Sequence, residues 1–206
     1  MAYDLDRRPG DFALRRGGKA TRVAAVFTGI VVIAATLPLV LIALGAFGLV
    51  SAIGVLAIAG LAKVFADDRL DAALPWLKGG NAEVAIGEAL EELRREQFVV
   101  MHDLDKVVWG NVDHLASGRT GVFMVETKFR SYRDADLGKA KRVAATIGNE
   151  LGVWVTPIIC LATRDYGPRR HQRVAIVGRE QLLPFIRAQK NPTVAFERLA
   201  RFADRQ

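Results

Sequence analysis

Asn111-Val112-Asp113-His114-Leu115-Ala116-Ser117-Gly118-Arg119-Thr120-Gly121-Val122-Phe123-Met124-Val125-Glu126-Thr127-Lys128 reads as a β-hairpin: two apolar stretches, 112–115 and 122–125, flank a turn rich in glycine, serine and threonine. If Gly118 and Gly121 close the turn opposite each other, paired residues have numbers that sum to 239, so Asp113 lies across from Glu126 and Asn111 across from Lys128. Side chains alternate along a strand, so Glu126 and Lys128 share a face and Asp113 joins them from the neighbouring strand. Directly opposed Cβ atoms sit ~4.5–5.5 Å apart, which makes the two carboxylates converge.

Opposed like charges destabilise a sheet unless something offsets them. A divalent cation would do so, and a few hard oxygen ligands with room for water and phosphate suit Mg²⁺ better than zinc. Lys128 would then bring an ammonium beside the metal, where it could orient or help deprotonate a water attacking phosphorus. The residues alone leave a second reading open, in which Lys128 merely neutralises Glu126 in a salt bridge on an exposed strand face. A bulge in the hairpin would also change which residues meet.

Outward from the hairpin, Asn81 is expected to cap a helix over 82–96 with Val84, Leu90 and Leu93 as its apolar stripe, followed by β-prone 98–101. Beyond it, 134–152 reads as a helix ended by glycine, 153–161 as a buried strand carrying Cys160, 166–170 as a turn, 174–177 as a strand and 180 onward as helix, with a break at Asn191-Pro192. This order indicates a mixed α/β layer structure. The stretch 63–206 contains neither GxGxxG nor GxxxxGK, which disfavours nucleotide-driven chemistry. By alternation His114 faces away from Asp113 and reads as a structural histidine, while His102 and His171 read as surface residues. Cys160 reads as inert packing, and a single cysteine excludes an internal disulfide framework and a multi-cysteine zinc site.

Residues 23–62 contain no Asp, Glu, Lys or Arg, and account for much of the chain's 51% hydrophobic content and its mean hydropathy of +0.18. One helix of that length would be roughly 60 Å long, about twice the ~30 Å hydrocarbon core, so two transmembrane helices near 23–44 and 47–64 are expected, broken at Gly45-Ala46-Phe47-Gly48, with Pro38 kinking the first. Arg7, Arg8, Arg15, Arg16, Lys19 and Arg22 precede this hairpin, and Lys63 and Arg69 follow its apolar run. The positive-inside tendency therefore puts both termini in the cytoplasm of a multi-pass protein in the inner or plasma membrane. The expected organisation is a basic tail over 1–22, a transmembrane hairpin over 23–64, a connector over 65–78 and an α/β domain over 79–206. The formal charge of +7 divides accordingly: without the six basic and three acidic residues of 1–22, the remainder has 23 basic and 19 acidic residues, a net +4. That balance alone is weak evidence for a nucleic-acid partner.

The stretch from residue 76 to about 162, above all Gly79-Gly80-Asn81-Ala82-Glu83, "GNVDHL", "GRTGVFMVETKFR" and "VTPIICLA", strongly resembles the nuclease-related domain (NERD) family. That family is similar to the PD-(D/E)xK, restriction-endonuclease-like superfamily, whose members hydrolyse nucleic-acid phosphodiesters with Mg²⁺ at an acidic D…ExK site. The resemblance implies a restriction-endonuclease-like mixed sheet flanked by helices. It makes Asp113 and Glu126 metal ligands, Lys128 the lysine of ExK and Glu83 a further acidic ligand. It also implies a nucleic-acid partner, DNA in preference to RNA, beside the lipid bilayer. Arg130, Lys139, Lys141 and Arg142 form a basic zone suited to phosphate, with Phe129 and Tyr132 offering rings for stacking. Related domains often carry glutamine or another polar residue on the helix after the ExK strand, where this chain has Val143. That departure motivates an alternative, a catalytically inactive module that binds nucleic acid or protein at the membrane.

Overall fold

The computed structural model describes residues 8–43, 45, 48–104 and 111–190, and the expected break at 191–192 lies outside them. Its elements are α1 (Asp11–Ala43), α2 (Leu49–Glu91), a 3₁₀ turn (Glu92–Glu96), β1 (Val99–Leu104), β2 (Val112–Gly118), β3 (Gly121–Lys128), α3 (Asp134–Leu151), β4 (Val155–Leu161), β5 (Arg169–His171), β6 (Val174–Gly178) and α4 (Arg179–Arg187). The chain divides into two compact units, Met1–Phe12 with Lys78–Gln206, and Ala13–Leu77.

The larger unit is built on one six-stranded sheet in the order β1-β2-β3-β4-β6-β5. β1, β2 and β3 form an antiparallel meander, β3, β4 and β6 run parallel, and β5 returns antiparallel on the edge. The parallel β3–β4 step needs a crossover, which α3 supplies. Leu137, Ala140, Val143, Ala144, Ile147 and Leu151 recur at helical spacing and bury the apolar face of α3 on one side of the sheet, against Leu115, Val122, Met124 and Ile159. The other side packs Phe123, Val125, Ile158 and Val177 against Ile86 and Leu90 of α2 and Leu182 and Ile186 of α4. The mixed α/β expectation holds for this sheet and its flanking helices. The 3₁₀ turn and the edge strand β5, read beforehand as helix and as turn, are additions.

Asn81 does not begin a helix. It is an exposed residue in the middle of α2, which runs unbroken through Gly79-Gly80, and only Glu92–Glu96 tightens into a 3₁₀ turn. Glycine has another use in this stretch, close approach. A Cβ on Gly10, which sits at φ +76°, would lie 2.6 Å from the Gly80 carbonyl oxygen, and one on Gly87 would lie 2.4 Å from Cβ of Pro9. The turn at Pro9-Gly10 therefore packs directly on α2, and the Phe12 N–H donates to Asp103 at the end of β1 over 3.0 Å. Residues 8–12, part of the basic tail expected over 1–22, thus pack within the α/β unit.

In the smaller unit, Phe27 stacks on Phe65 with ring centroids 5.9 Å apart, Leu77 lies where a Cβ on Gly17 would be, and the Arg16 guanidinium sits 4.7 Å from the ring centre of Trp76. Pairings of low with high numbers in this order mark an antiparallel helix pair, and the chain turns back at Gly45 with φ +70°. Among the described residues one helix, Asp11–Pro38, is long and apolar enough to cross a membrane by length and composition, with a mean hydropathy of 1.9. This corrects the expectation of two such spans: the charge-free part of α2 covers only 49–62, and Lys63, Asp67, Asp68 and Arg69 follow within the same helix.

Candidate active site

The hairpin closes in the register read from its turn. Gly118 pairs with Gly121, Ser117 with Val122, and so on to His114 with Val125, every pair summing to 239. One residue further, the ladder gives way to a side chain: the Asp113 carboxylate accepts the Thr127 backbone N–H through Oδ2 at 2.6 Å. Both Asp113 and Glu126 are buried there, 7% and 4% exposed. Strand β3 continues past the end of this pairing along β4, with Glu126 opposite Ile159 and Lys128 opposite Leu161, so the two carboxylates stand at the mouth of an opening hairpin.

Glu126 is held by two ammonium groups. Lys128 donates to Oε1 at 2.9 Å, and Lys139, on the first turns of α3, donates to Oε1 at 2.9 Å and Oε2 at 3.0 Å. Lys128 also lies 3.3 Å from Oδ1 of Asp136. Burial alone would lower the pKa of Lys128, but the adjacent Glu126, Asp136 and Asp113 charges outweigh it and raise it. Lys128 thus stands as a donor to Glu126 and an ion-pair partner of Asp136.

The acidic side is less well compensated. Burial first, then the charges of Glu126 and Glu83, holds the Asp113 carboxyl well above the usual range, against the opposing Thr127 hydrogen bond and Lys139. Glu83, half-buried on α2, is pushed up to about 7 by burial and by the charges of Asp103 and Glu126. These mutual effects place Glu83, Asp113 and Glu126 in one electrostatic neighbourhood, although they come from a helix and two strands. Among the described residues no three His, Cys, Asp or Glu side chains form a group in metal-holding geometry. The donor set nonetheless fits a hard divalent ion in its chemistry: clustered carboxylates short of positive charge, two of them with raised pKa values.

Asp103 was not among the residues expected from the sequence. It is buried, adopts φ +54°, and accepts both the Phe12 N–H and the Asn111 side-chain N–H, the latter at 2.9 Å. The β1–β2 register pairs His102 with His114 and Leu104 with Val112, so His102-Asp103 runs antiparallel against Asp113-His114. That reversed pair of dipeptides was a usable signal for a second buried carboxylate. Lys139 had been assigned to phosphate, and its contact with Glu126 could not be read from spacing because it depends on how α3 crosses the sheet.

The rest of the basic zone is dispersed. Arg130 and Arg142 are exposed, and Phe129 is 41% exposed. Lys141 donates to Gln172 at 3.0 Å and lines a cavity of about 300 Å³ with Trp154 and Arg173. At 100° per residue that face of α3 lies away from Lys139. Val143 is buried against the sheet, in the apolar cluster under α3. His102 is not a surface residue. It is 3% exposed, because it is drawn in between Glu91 and the wholly buried His114. His171 is exposed, and burial pushes the Cys160 thiol up to about 12, consistent with inert packing.

The site is thus a buried acidic pair with an adjoining lysine, set in an α/β domain where an antiparallel hairpin continues into a parallel sheet. Residues 78–162 match the model of the NERD family, described as nuclease-related domain. The match covers less than half of the chain and contains Glu83, Asp113, Glu126, Lys128 and Lys139, while β5, β6 and α4 extend the same compact unit beyond it. No curated protein and no solved structure matches the chain.

Proposed function

We propose that this protein is a membrane-anchored nuclease of the PD-(D/E)xK kind, hydrolysing nucleic-acid phosphodiesters with Mg²⁺. The observation that carries the reading is the convergence of Asp113, Glu126 and Lys128 at the open end of the hairpin, with Glu83 in the same field. Asp113 and Glu126 would hold the metal, with Glu83 assisting. Mg²⁺ bound there would polarise the phosphodiester and lower the pKa of a bound water. The Lys128 ammonium, steadied by Glu126 and Asp136, would orient the attacking water and offset charge on phosphate oxygens. Exposed Arg130 and Arg142 suit the phosphate backbone and carry no base-reading pattern, so cleavage is expected to tolerate sequence, with DNA favoured over RNA.

The membrane part of the reading is supported by large apolar side chains left exposed on both helices of the smaller unit, Val26, Ile33, Val40, Ile53, Ile58 and Leu61 among them.

The test is cleavage of plasmid, linear and single-stranded DNA and of RNA by the full chain in detergent, with Mg²⁺ or EDTA. Metal-dependent cleavage that Glu126→Ala abolishes supports the assignment, and wild type no better than Glu126→Ala refutes it. One observation favours a second reading, a non-catalytic binding module: Lys139 occupies both oxygens of Glu126, and the helix position expected to be polar is the buried Val143. Salt-dependent DNA binding without cleavage, insensitive to Glu126→Ala, would establish it.

A further inference from the structure

Behind the hairpin, on the side of the sheet away from α3, four polar side chains form a continuous chain that runs from Glu91 at the surface to buried His102, His114 and Thr127. His102 Nε2 lies 2.8 Å from Glu91 Oε1, His102 Nδ1 lies 2.8 Å from His114 Nδ1, and His114 Nε2 lies 3.2 Å from Thr127 Oγ1. The rings meet edge to face with centroids 5.0 Å apart. The outer end is fixed by Arg94, which donates to Glu91 Oε2 at 2.6 Å and to the Val100 carbonyl at 2.7 Å. Gly87 makes room on α2, since a Cβ there would lie 3.3 Å from Cε1 of His114.

Elementary hydrogen-bond chemistry gives this chain a single direction. A carboxylate only accepts, so His102 carries its proton on Nε2 and, as a neutral ring, accepts at Nδ1. His114 must then donate from Nδ1, which leaves its Nε2 an acceptor for the Thr127 hydroxyl. Both rings lie in the interior, 3% and 0% exposed, and the three contacts use each ring nitrogen once, one donor and one acceptor per ring, which is the pattern of neutral imidazoles. Glu91 stays ionised because Arg94 and His102 outweigh its partial burial.

Thr127 is where the chain meets the site. Its side chain ends the relay on one side of the sheet, and its backbone N–H anchors Asp113 Oδ2 on the other at 2.6 Å. We propose that Glu91, His102, His114 and Thr127 form a positioning relay that locks the Thr127 peptide in place and thereby sets how Asp113 presents its carboxylate at the candidate site. The relay acts through Thr127 and none of its side chains touches the reacting atoms. This inference rests on the reading of Asp113 as a metal ligand for its consequence, but not for its hydrogen-bond order.

Two measurements on the full chain in detergent test it. Nitrogen-15 NMR of histidine-labelled protein should show His102 protonated on Nε2 and His114 on Nδ1, each as one tautomer. Glu91→Gln, which replaces an obligate acceptor on the half-exposed end by a group that can accept or donate, should mix the tautomers at both rings. A wild-type His102 protonated on Nδ1, or a Glu91→Gln spectrum unchanged from wild type, overturns the relay. In the Mg²⁺-dependent cleavage assay, Thr127→Val keeps the side-chain shape but removes the hydroxyl. It should lower kcat by about 10–100-fold, the usual cost of losing an outer-shell partner, with KM little changed, and Thr127→Ser should restore kcat. Equal kcat in Thr127→Val and wild type refutes the positioning role. Absence of cleavage in wild type would instead count against the nuclease reading and leave the tautomer result as the decisive test.

Discussion

Glu83→Gln should stabilise the metal-free protein at neutral and alkaline pH, an unusual sign for a substitution at a candidate ligand. The Glu83 carboxyl ordinarily titrates at 4.5 and is pushed to about 7 here, by burial first and then by Asp103 and Glu126. A group whose pKa is raised on folding favours the folded state below its unfolded value and loses that contribution as pH rises through its folded value. The wild type is therefore penalised progressively between pH 4.5 and about 7, and fully above that. At ~1.4 kcal/mol per pH unit the ceiling is roughly 3 kcal/mol, which solvent screening at a half-buried site reduces to about 1–2 kcal/mol. Glutamine keeps the shape and removes the charge. Unfolding of the full chain in detergent with EDTA, followed by near-ultraviolet circular dichroism, should show the variant level with wild type near pH 4.5 and more stable at pH 8. Saturating Mg²⁺ at pH 8 should then raise the wild-type midpoint more than that of the variant. A Glu83→Gln protein less stable than wild type at pH 8 would show that the carboxylate is not under electrostatic load, and the picture of three crowded carboxylates would fail with it.

Lys139→Met removes the ammonium that spans both oxygens of Glu126, and should tighten Mg²⁺ or Mn²⁺ binding by roughly tenfold in calorimetry. Unchanged affinity would mean that Lys139 does not compete with a cation. Gly87→Ala drives a methyl into Pro9 and towards His114, so thermal unfolding should report a loss of about 1–3 kcal/mol. Deleting residues 1–12 removes the donor to Asp103 and should cost about 1–3 kcal/mol in the same assay, a loss absent if the segment is a free tail. Carbonate washing of membranes should leave the full chain in the pellet, and release into the supernatant would refute anchoring by the helix pair.

The parts of the fold that were legible in the sequence are those set by short-range rules. The hairpin register follows from two glycines and a period of two, and α3 follows from a 3.6-residue apolar period ended by Gly152 at φ +65°. Gly79-Gly80 and Asn81 misled because they carry local meanings, a break in a helix for glycine and the start of one for asparagine, while glycine also has a non-local meaning, room for another segment. The Pro9-Gly10 turn that packs against Gly80 and Gly87 lies some seventy residues away in the chain, and no window of local sequence contains both partners. The same limit explains His102. Next to Asp103 at a strand end it looks like a surface residue, and only the β1–β2 pairing reveals that His114 and Glu91 satisfy it in the interior.

The candidate site divides along the same line, and the division bears on how it could work. Asp113, Glu126 and Lys128 lie on two strands joined by a tight turn, so their proximity needs only the register. Glu83, Asp103 and Lys139 come from α2, β1 and α3; Glu83 and Lys139 act on the charge of Asp113, and Lys139 contacts Glu126 directly. Asp103 and Glu126 load Glu83, and Glu83 and Glu126 load Asp113; Lys139 opposes part of both loads, but within this trio the direct lysine contacts, from Lys128 and Lys139, fall on Glu126. Positive charge is thus concentrated on one carboxylate while its neighbours remain crowded. Because Lys139 binds Glu126 through a flexible stem from an adjacent helix, it can withdraw without disturbing the sheet. A divalent cation arriving at Asp113 and Glu83 would find the Glu126 carboxyl beside them, and binding would exchange its Lys139 contact and the protons bound at the other two carboxyls for the metal. Proton release on adding Mg²⁺ at pH 7, reduced in Glu83→Gln, is the calorimetric signature of that exchange, and binding with no proton release would rule it out.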